Sequence, residues 1–412
     1  MKKIIFQNLS ITILSKLLGF LSFIYIAKIL TEVDYGIFIS INMILSLLPL
    51  FQFGSMHGII ILLPKYINNN TLAEKEKLFT TYNSFSTVLQ IISVAWLYLS
   101  NIQISYWIIL IIAINHIFLK YIENVQIYLN SHLQFEKANL LKAIDQILRP
   151  IFILLTFYIY EVIESIFLAH LLATFVSFIF TMKYNIKINN IKINVNYIHK
   201  IYKVGFFVYI TWGIDILFRS VDRWFIYQYY SVSDLAMYGF TSALAMNIWL
   251  LSMSFFSPYS QLLYKAVAEN NFIYVKDIVE NTNKKLFILL GIISTITIII
   301  YPYLLELIVH KYLDTYFLFS ILVITSILLS INNMYIYYMI SNNLHFILLK
   351  YQIIILIINL SFNGLFSYYH LNIIYFAYST ILSLAIYFIL VKQYFYKDIN
   401  KKIGDLNDKT RI

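Results

Sequence analysis

The sequence predicts an all-α integral membrane fold of about twelve transmembrane helices, in two six-helix halves related by a pseudo-twofold repeat. Three observations predict it. Of the 412 residues, 60% are hydrophobic and only 12% are charged, whereas an ordinary soluble domain carries about 25% charged residues. Apolar runs of ~20 residues recur, each able to cross a hydrocarbon core of ~30 Å as a helix. Finally, two short motifs of the first half return in the second half at one constant offset.

The spans are expected near 8–30, 36–63, 80–100, 105–129, 143–160 and 162–182, then near 203–229, 235–263, 285–305, 315–340, 344–368 and 370–394. Met1-Lys2-Lys3 opens like a signal peptide, but the apolar stretch after it is span length and no small-residue cleavage site follows, so it counts as the first span.

Lysines alternate between the two sets of loops. One side carries Lys2 and Lys3, then Lys65, Lys75 and Lys77, then Lys137 and Lys142. The same side continues through Lys183, Lys200, Lys265, Lys285 and Lys350 to Lys397 and Arg411. The opposite loops hold little beyond Lys28 and Lys311. By the positive-inside rule both ends are cytoplasmic, which requires an even number of spans. The formal net charge of +10 is therefore a topology signal and not a nucleic-acid footprint. Trp96, Trp107 and Trp224 fall near the outer ends of their spans, where interfacial aromatics belong. The longest outer loop, from Glu306 to Thr315, offers no room for an extracytoplasmic catalytic domain.

The polar, Asn-rich stretch 183–202 divides the chain. It gives an N-terminal half 1–182, a cytoplasmic linker 183–202, a C-terminal half 203–396 and a cytoplasmic tail 397–412. The linker's alternation of Ile with polar residues mimics a strand, but an interfacial linker is the simpler reading. Ile13-Leu14-Ser15-Lys16 aligns with Ile216-Leu217-Phe218-Arg219, and without a gap Tyr35-Gly36 aligns with Tyr238-Gly239. Duplicated six-span halves are a transporter architecture.

Ionisable residues at membrane depth are costly and face a partner or a cavity. On span seven, Asp215, Arg219, Asp222 and Arg223 stand at i, i+4, i+7 and i+8, one stripe of a helix. They read either as two acids locked to two arginines or, for Arg219, as a substrate contact. Lys16 matches Arg219 in the repeat and reads either as a cavity residue or as a snorkelling lysine that almost reaches the inner interface. His116, Lys120 and Glu123 share a face of span four at i, i+4 and i+7, either as a Lys120–Glu123 pair or as a titratable site coupled to ion flow. Asp145 and Arg149, before Pro150, read as a helix-start pair. His57 and His170 read as buried, hydrogen-bonded histidines.

Several chemistries are excluded. With no cysteine there is no disulfide, thiolate zinc site or cysteine nucleophile. G-x-x-x-x-G-K-[ST], H-E-x-x-H and G-x-S-x-G are all missing. No enzyme activity and no cofactor are expected, which leaves transport as the main reading.

The segment Ala27-Lys28-Ile29-Leu30-Thr31-Glu32-Val33-Asp34-Tyr35-Gly36 resembles the polysaccharide repeat-unit flippases, the O-antigen or Wzx type, of the multidrug/oligosaccharidyl-lipid/polysaccharide exporter superfamily. Asp222-Arg223 followed by Met237-Tyr238-Gly239 resembles it again. The chain departs from that pattern at Asp34, where a Gly-Pro-type turn is usual, and in the sparse charge of spans nine to twelve. The resemblance implies a flippase of the bacterial cytoplasmic membrane. It would move an undecaprenyl-pyrophosphate-linked oligosaccharide, for O-antigen or capsule, by alternating access. The implied partners are this lipid-linked oligosaccharide, membrane lipid, and a polysaccharide polymerase with its chain-length regulator. Lys16, Lys120, Arg219 and Arg223 are then the candidates to face the phosphates, and Glu123, Asp215 and Asp222 the candidates for ion coupling. The alternatives are an ion-coupled multidrug or small-molecule exporter of the same superfamily, which would be dominated by cavity acids, and a membrane-embedded polymerase or acyltransferase.

Overall fold

The computed structural model describes the backbone of residues 2–69, 72–99, 105–132, 134–160, 162–184 and 193–409. The side chains of 2–13, 16, 65–69, 72–73, 99, 135, 254, 257–258, 261, 268 and 406–409 fall outside the description. So do residues 185–192 of the expected linker 183–202.

The described residues are all-helical, and they form two compact units, Met1–Ile210 and Thr211–Ile412. The first unit holds α1 (Lys2–Ile29), α2 (Glu32–Leu45), α3 (Ser55–Asn69), α4 (Leu72–Leu99), α5 (Tyr106–Ser131), α6 (Phe135–Ile159) and α7 (Ile163–Met182). The long helix α8 (Val195–Tyr229) begins in the first unit and ends in the second. The second unit continues with α9 (Val232–Ala268), α10 (Phe272–Ile308), α11 (Tyr316–Ser341), α12 (His345–Tyr368) and α13 (Ile374–Lys409). Nine described segments are long and apolar enough to cross a membrane.

In the first unit, α6 packs against α1 and α7, α5 packs against α7 and α4, and α3 closes on α4. In the second, α11 is central and touches α9, α10 and α13, while α12 packs on α13.

The second span, expected as one helix over 36–63, is broken. Helix α2 stops at Leu45, Pro49 enters a short 3₁₀ segment (Leu48–Gln52), and Phe53 and Gly54 adopt φ of 45° and 90° before α3 resumes at Ser55. A proline cannot donate the helical hydrogen bond, and the left-handed turn suits glycine. The break is seated on the start of α8. A Cβ added to Gly58 would lie 2.1 Å from the Ile201 carbonyl oxygen, and one added to Gly205 would lie 2.1 Å from that of Gly54. Only glycine permits backbones this close. Ile201 completes an apolar cluster with Ile59, Leu63 and Phe79. The Tyr209 hydroxyl donates to the Leu50 carbonyl at 2.9 Å, beside the 3.1 Å bond that the same carbonyl accepts from the Phe53 amide.

The corresponding span of the second unit, α9, is unbroken over 37 residues. Both spans start from the same kind of cap. The Thr31 hydroxyl accepts from the Asp34 amide, and Ser231 and Asp234 form a reciprocal capping box. Tyr35 and Tyr238, aligned by the repeat, are both buried. Tyr238 nevertheless stands almost one turn farther from its cap than Tyr35 does. The two copies therefore coincide at the tyrosine and not at the cap.

Several helices outrun their apolar cores. α8 begins at Val195, α10 at Phe272, and α13 runs on to Lys409 through the residues expected as a tail. Polar helix ends beyond the hydrocarbon lower the local hydropathy without ending the helix. In α13 the extension is anchored. Asp398 accepts from the Tyr338 hydroxyl and pairs with Lys402 at 3.0 Å, and Lys402 donates to Asn342.

Candidate functional site

Beside the break in the second span lies a cavity of about 360 Å³ inside the first unit. Pro49, Gln52 and Met56 border it from the broken span, and Gln90 from α4. The α5 wall is the stripe predicted from sequence, His116, Lys120 and Glu123, extended by Gln126. The α6 wall is Lys142, Asp145 and Gln146.

Asn124 fixes the orientation of the α5 stripe. Its amide donates to Asn83 Oδ1 at 2.6 Å and to Ser86 Oγ at 3.4 Å, both on α4. Lys120, one turn before Asn124, faces α4 on the same side, and both Lys120 and Glu123 border the cavity. Lys120 is buried, bridges Glu123 at 2.7 Å and donates to the Tyr82 hydroxyl at 3.4 Å. Gln52 donates to Gln90, and Gln90 in turn donates to the His116 carbonyl, each at 3.2 Å. This chain spans the gap left by the break.

On α6, Arg149 bridges Asp145 at 2.7 Å, and Thr174 of α7 donates to the same carboxylate. The pair expected at a helix start lies well inside α6, which begins at Phe135, and its acid lines the cavity. Hydropathy had placed the polar first turns of α6 outside the span.

Both acids of the lining thus have a cation. Lys142, on the same wall, makes no hydrogen bond or ion pair among the described residues. Sequence reasoning used Lys142 only as a loop charge and did not single out any of the four glutamines. The available signal was spacing: Gln126 continues the α5 stripe three residues after Glu123, and Gln146 follows Lys142 at i,i+4.

The second unit holds a different polar cluster. Asp222 of α8, 7% exposed, accepts from the Tyr238 hydroxyl at 2.5 Å, the Thr380 hydroxyl at 2.6 Å and the Asn363 amide at 2.8 Å. Asn363 donates also to Asn359, whose own amide donates to Ser379 at 3.0 Å. Asn363 Oδ1 is buried without a partner among the described residues. Among the described residues no group of three His, Asp or Glu gathers to hold a metal. The oxygens around Asp222 are instead one carboxylate, amides and hydroxyls, a donor set of the kind hard cations prefer.

The remaining span-seven charges separate. Arg219 bridges Asp215 and stacks its guanidinium on Trp249, 5.0 Å from the ring centroid. Arg223 donates to the Arg219 carbonyl at 3.1 Å. Of the two acid–arginine locks considered from sequence, the structure contains Asp215–Arg219, whereas Asp222 is held by neutral donors. Lys16 lies on α1, but its side chain is outside the described set.

No protein-family model and no curated protein matches the sequence. Solved structures do. An inward-facing MATE-family multidrug resistance transporter of the MOP superfamily matches with a TM-score of 0.76 at 12% identity, over 96% of this chain and 98% of that one. The lipid II flippase MurJ in an inward closed conformation matches with a TM-score of 0.77 at 15% identity, over 96% and 90%. A MOP superfamily transporter from Pyrococcus furiosus, described by the reverse polarity of its binding pocket, matches at 0.59 and 13% identity, over 96% and 93%. Each of these is a transporter or flippase, and the chain has the fold they share.

Proposed function

We propose that this protein is a flippase of the bacterial cytoplasmic membrane that moves a pyrophosphate-linked oligosaccharide from the inner to the outer leaflet. The observation that carries the reading is the charge balance of the first unit's cavity. Lys120 and Arg149 each neutralise one acid, and Lys142 has no ion pair on the wall among the described residues. A membrane cavity left with a net cation suits an anionic headgroup, whose unaided crossing would cost many kcal/mol. Lysine binds phosphate as a point charge. The prenyl tail stays in lipid while the head occupies the cavity, and alternating access exchanges its exposure. Arg219, Arg223 and Lys16 are further phosphate-facing candidates. Both chain ends lie in the cytoplasm, and a polymerase with its chain-length regulator acts on the exported unit.

Asp222 is the coupling carboxylate in this reading. Its oxygen-rich surroundings, with one amide oxygen unpartnered, suit a sodium ion or a proton. Glu123 and Asp215 are the other candidates, and each is already bridged to a cation.

A second reading, an ion-coupled exporter of small molecules, is favoured by the MATE fold match and by Glu123, whose side chain is 36% exposed beside the cavity. The test separates the two. In a strain lacking the protein, Lys142→Gln should insert normally yet cut surface polysaccharide at least tenfold, with lipid-linked oligosaccharide accumulating inside. Undiminished surface polysaccharide in the null strain, together with lost drug resistance, would establish the exporter reading instead.

A further inference from the structure

Asp222 is buried, yet a carboxylate that couples transport to an ion must load that ion and release it. Three helices of the second unit carry polar residues at one common spacing of seven. Asp215 and Asp222 stand on α8, Gln352 and Asn359 on α12, and Thr380 and Tyr387 on α13. Residues seven apart share a helix face and lie about 10 Å apart along the axis. Contacts join the three stripes at both ends. At one end Asp222 accepts from Thr380 and from Asn363, one turn beyond Asn359. At the other, Tyr387 lies beside Gln352 and within electrostatic reach of Asp215. Between the ends, Asn359 donates to Ser379, and Ser383 follows one turn on along α13.

This seam is buried but not satisfied. Gln352 is 9% exposed, Tyr387 4% and Ser383 0%. Asn363 Oδ1, Gln352 Oε1 and the Ser383 and Tyr387 hydroxyls have no hydrogen-bond partner among the described residues. Hydrogen bonds that only locked the helices together would close on one another. Polar atoms left open in a row inside a span are partners for water. At the foot of the row the Asp215 side chain keeps 39% of its surface open, and its bridge to Arg219 leaves the entrance without net charge.

We infer that this seam is a hydrated path along which Asp222 exchanges a small monovalent cation, hydronium or sodium, with the aqueous phase at Asp215. The inference rests on the reading of Asp222 as the coupling carboxylate and supplies its route. The Ser383 and Tyr387 hydroxyls both donate and accept, as a proton relay requires, and the amide oxygens suit sodium.

The chain has no cysteine, so a single substitution supplies a single thiol. The test exposes the purified full-length protein in lipid nanodiscs to silver nitrate, whose small monovalent cation reacts with thiols, and counts the surviving thiol with a maleimide after unfolding. Ser383→Cys keeps the shape of serine. Its control is Ser326→Cys on α11, because Ser326 is 1% exposed but its hydroxyl donates to the Ala245 carbonyl at 2.9 Å. Ser383→Cys should react about a hundredfold faster than Ser326→Cys, since a cation does not enter a dry span unaided. Adding Gln352→Leu at the Asp215 end should slow that reaction about tenfold. Should Ser383→Cys fail to insert, Ser379→Cys reads the same seam one turn away. Sodium nitrate in place of choline nitrate separates the two cations: protection by sodium assigns sodium, and equal rates in both salts assign the proton. Equally slow reaction at 383 and 326 overturns the path and leaves the coupling role of Asp222 standing. A rate untouched by Gln352→Leu overturns the route through Asp215. Normal gradient-driven export by Asp222→Asn overturns the coupling reading itself, whatever the silver rates.

Discussion

The two units solve one problem, charge inside a bilayer, in opposite ways. In the first, the second span breaks at Pro49, and charges of α5 and α6 border a cavity. In the second, the equivalent span α9 is continuous, and its Tyr238 closes over Asp222 together with Asn363 and Thr380. Among the described residues, the first arrangement leaves Lys142 and the amides of Gln126 and Gln146 without protein partners. The second gives Asp222, its one buried acid among the described residues, three donors from three different helices. A ligand the size of a headgroup needs the first kind of site, and a bare ion or proton needs only the second. The repeat thus supplied two scaffolds, and a helix break in one of them separates their geometries.

The contrast is broken most severely at Asp222. Removing the carboxylate in Asp222→Ala leaves the Tyr238 hydroxyl, the Thr380 hydroxyl and the Asn363 amide short of an acceptor. Each orphaned group costs about 1–3 kcal/mol, so the loss in stability should exceed about 3 kcal/mol. Asp222→Asn keeps the volume and one acceptor oxygen, and should cost less than half as much. A purely structural Asp222 predicts that export follows stability across this pair. A coupling Asp222 predicts that Asp222→Asn melts near the wild type and still loses export, along with any sodium-dependent rise in Tm. Normal gradient-driven export by Asp222→Asn would remove it from coupling.

A second comparison sets glycine against glycine. Gly58→Ala drives a methyl against the Ile201 carbonyl at the seat of the broken span, where a Cβ would sit 2.1 Å from the oxygen. Overpacking of this kind costs about 1–3 kcal/mol. Gly291→Ala on α10 meets nothing within 4 Å, and should be neutral or stabilise by up to about 1 kcal/mol. Thermal melting in detergent should therefore separate the two by several degrees. Equal Tm values would mean that the α3–α8 contact does not hold the break in place.

Much of this architecture was legible because lipid imposes it. Apolar run length gave the helices, and the Tyr-Gly repeat gave two buried, matching tyrosines. Spacing on one face gathered His116, Lys120 and Glu123 on the cavity wall. What escaped has physical causes. Pro49 lies amid Leu and Phe, so hydropathy passes over the break, and the left-handed Phe53–Gly54 turn leaves no mark in composition. The glutamines count as merely polar until two walls bring them together. Asp222 beside Arg223 suggested a pair, but adjacent residues on a helix point about 100° apart. The true partners, Asn363 and Thr380, come from α12 and α13, far away in sequence, and no local pattern announces them.

The mildest perturbation concerns Arg219, which belongs to neither pattern. It is bridged like the charges of the first unit, yet it also stacks on Trp249 of the unbroken α9. Arg219→Lys keeps the charge opposite Asp215 and gives up the planar fork and the stacking. Cation–π contacts in partly exposed positions are worth about 0.5–1 kcal/mol, so Tm should fall by only a few degrees. Export should drop and not vanish, whereas Arg219→Ala, which strands Asp215, should abolish it. Pairing these with Trp249→Phe separates the roles. If Arg219 serves only to hold α8 against α9, Trp249→Phe should reproduce the export defect of Arg219→Lys, and the two changes should not add. If the guanidinium meets substrate phosphate, Trp249→Phe should leave export near the wild-type level while Arg219→Lys lowers it. Full export by Arg219→Ala would end the claim that this arginine takes part in transport at all.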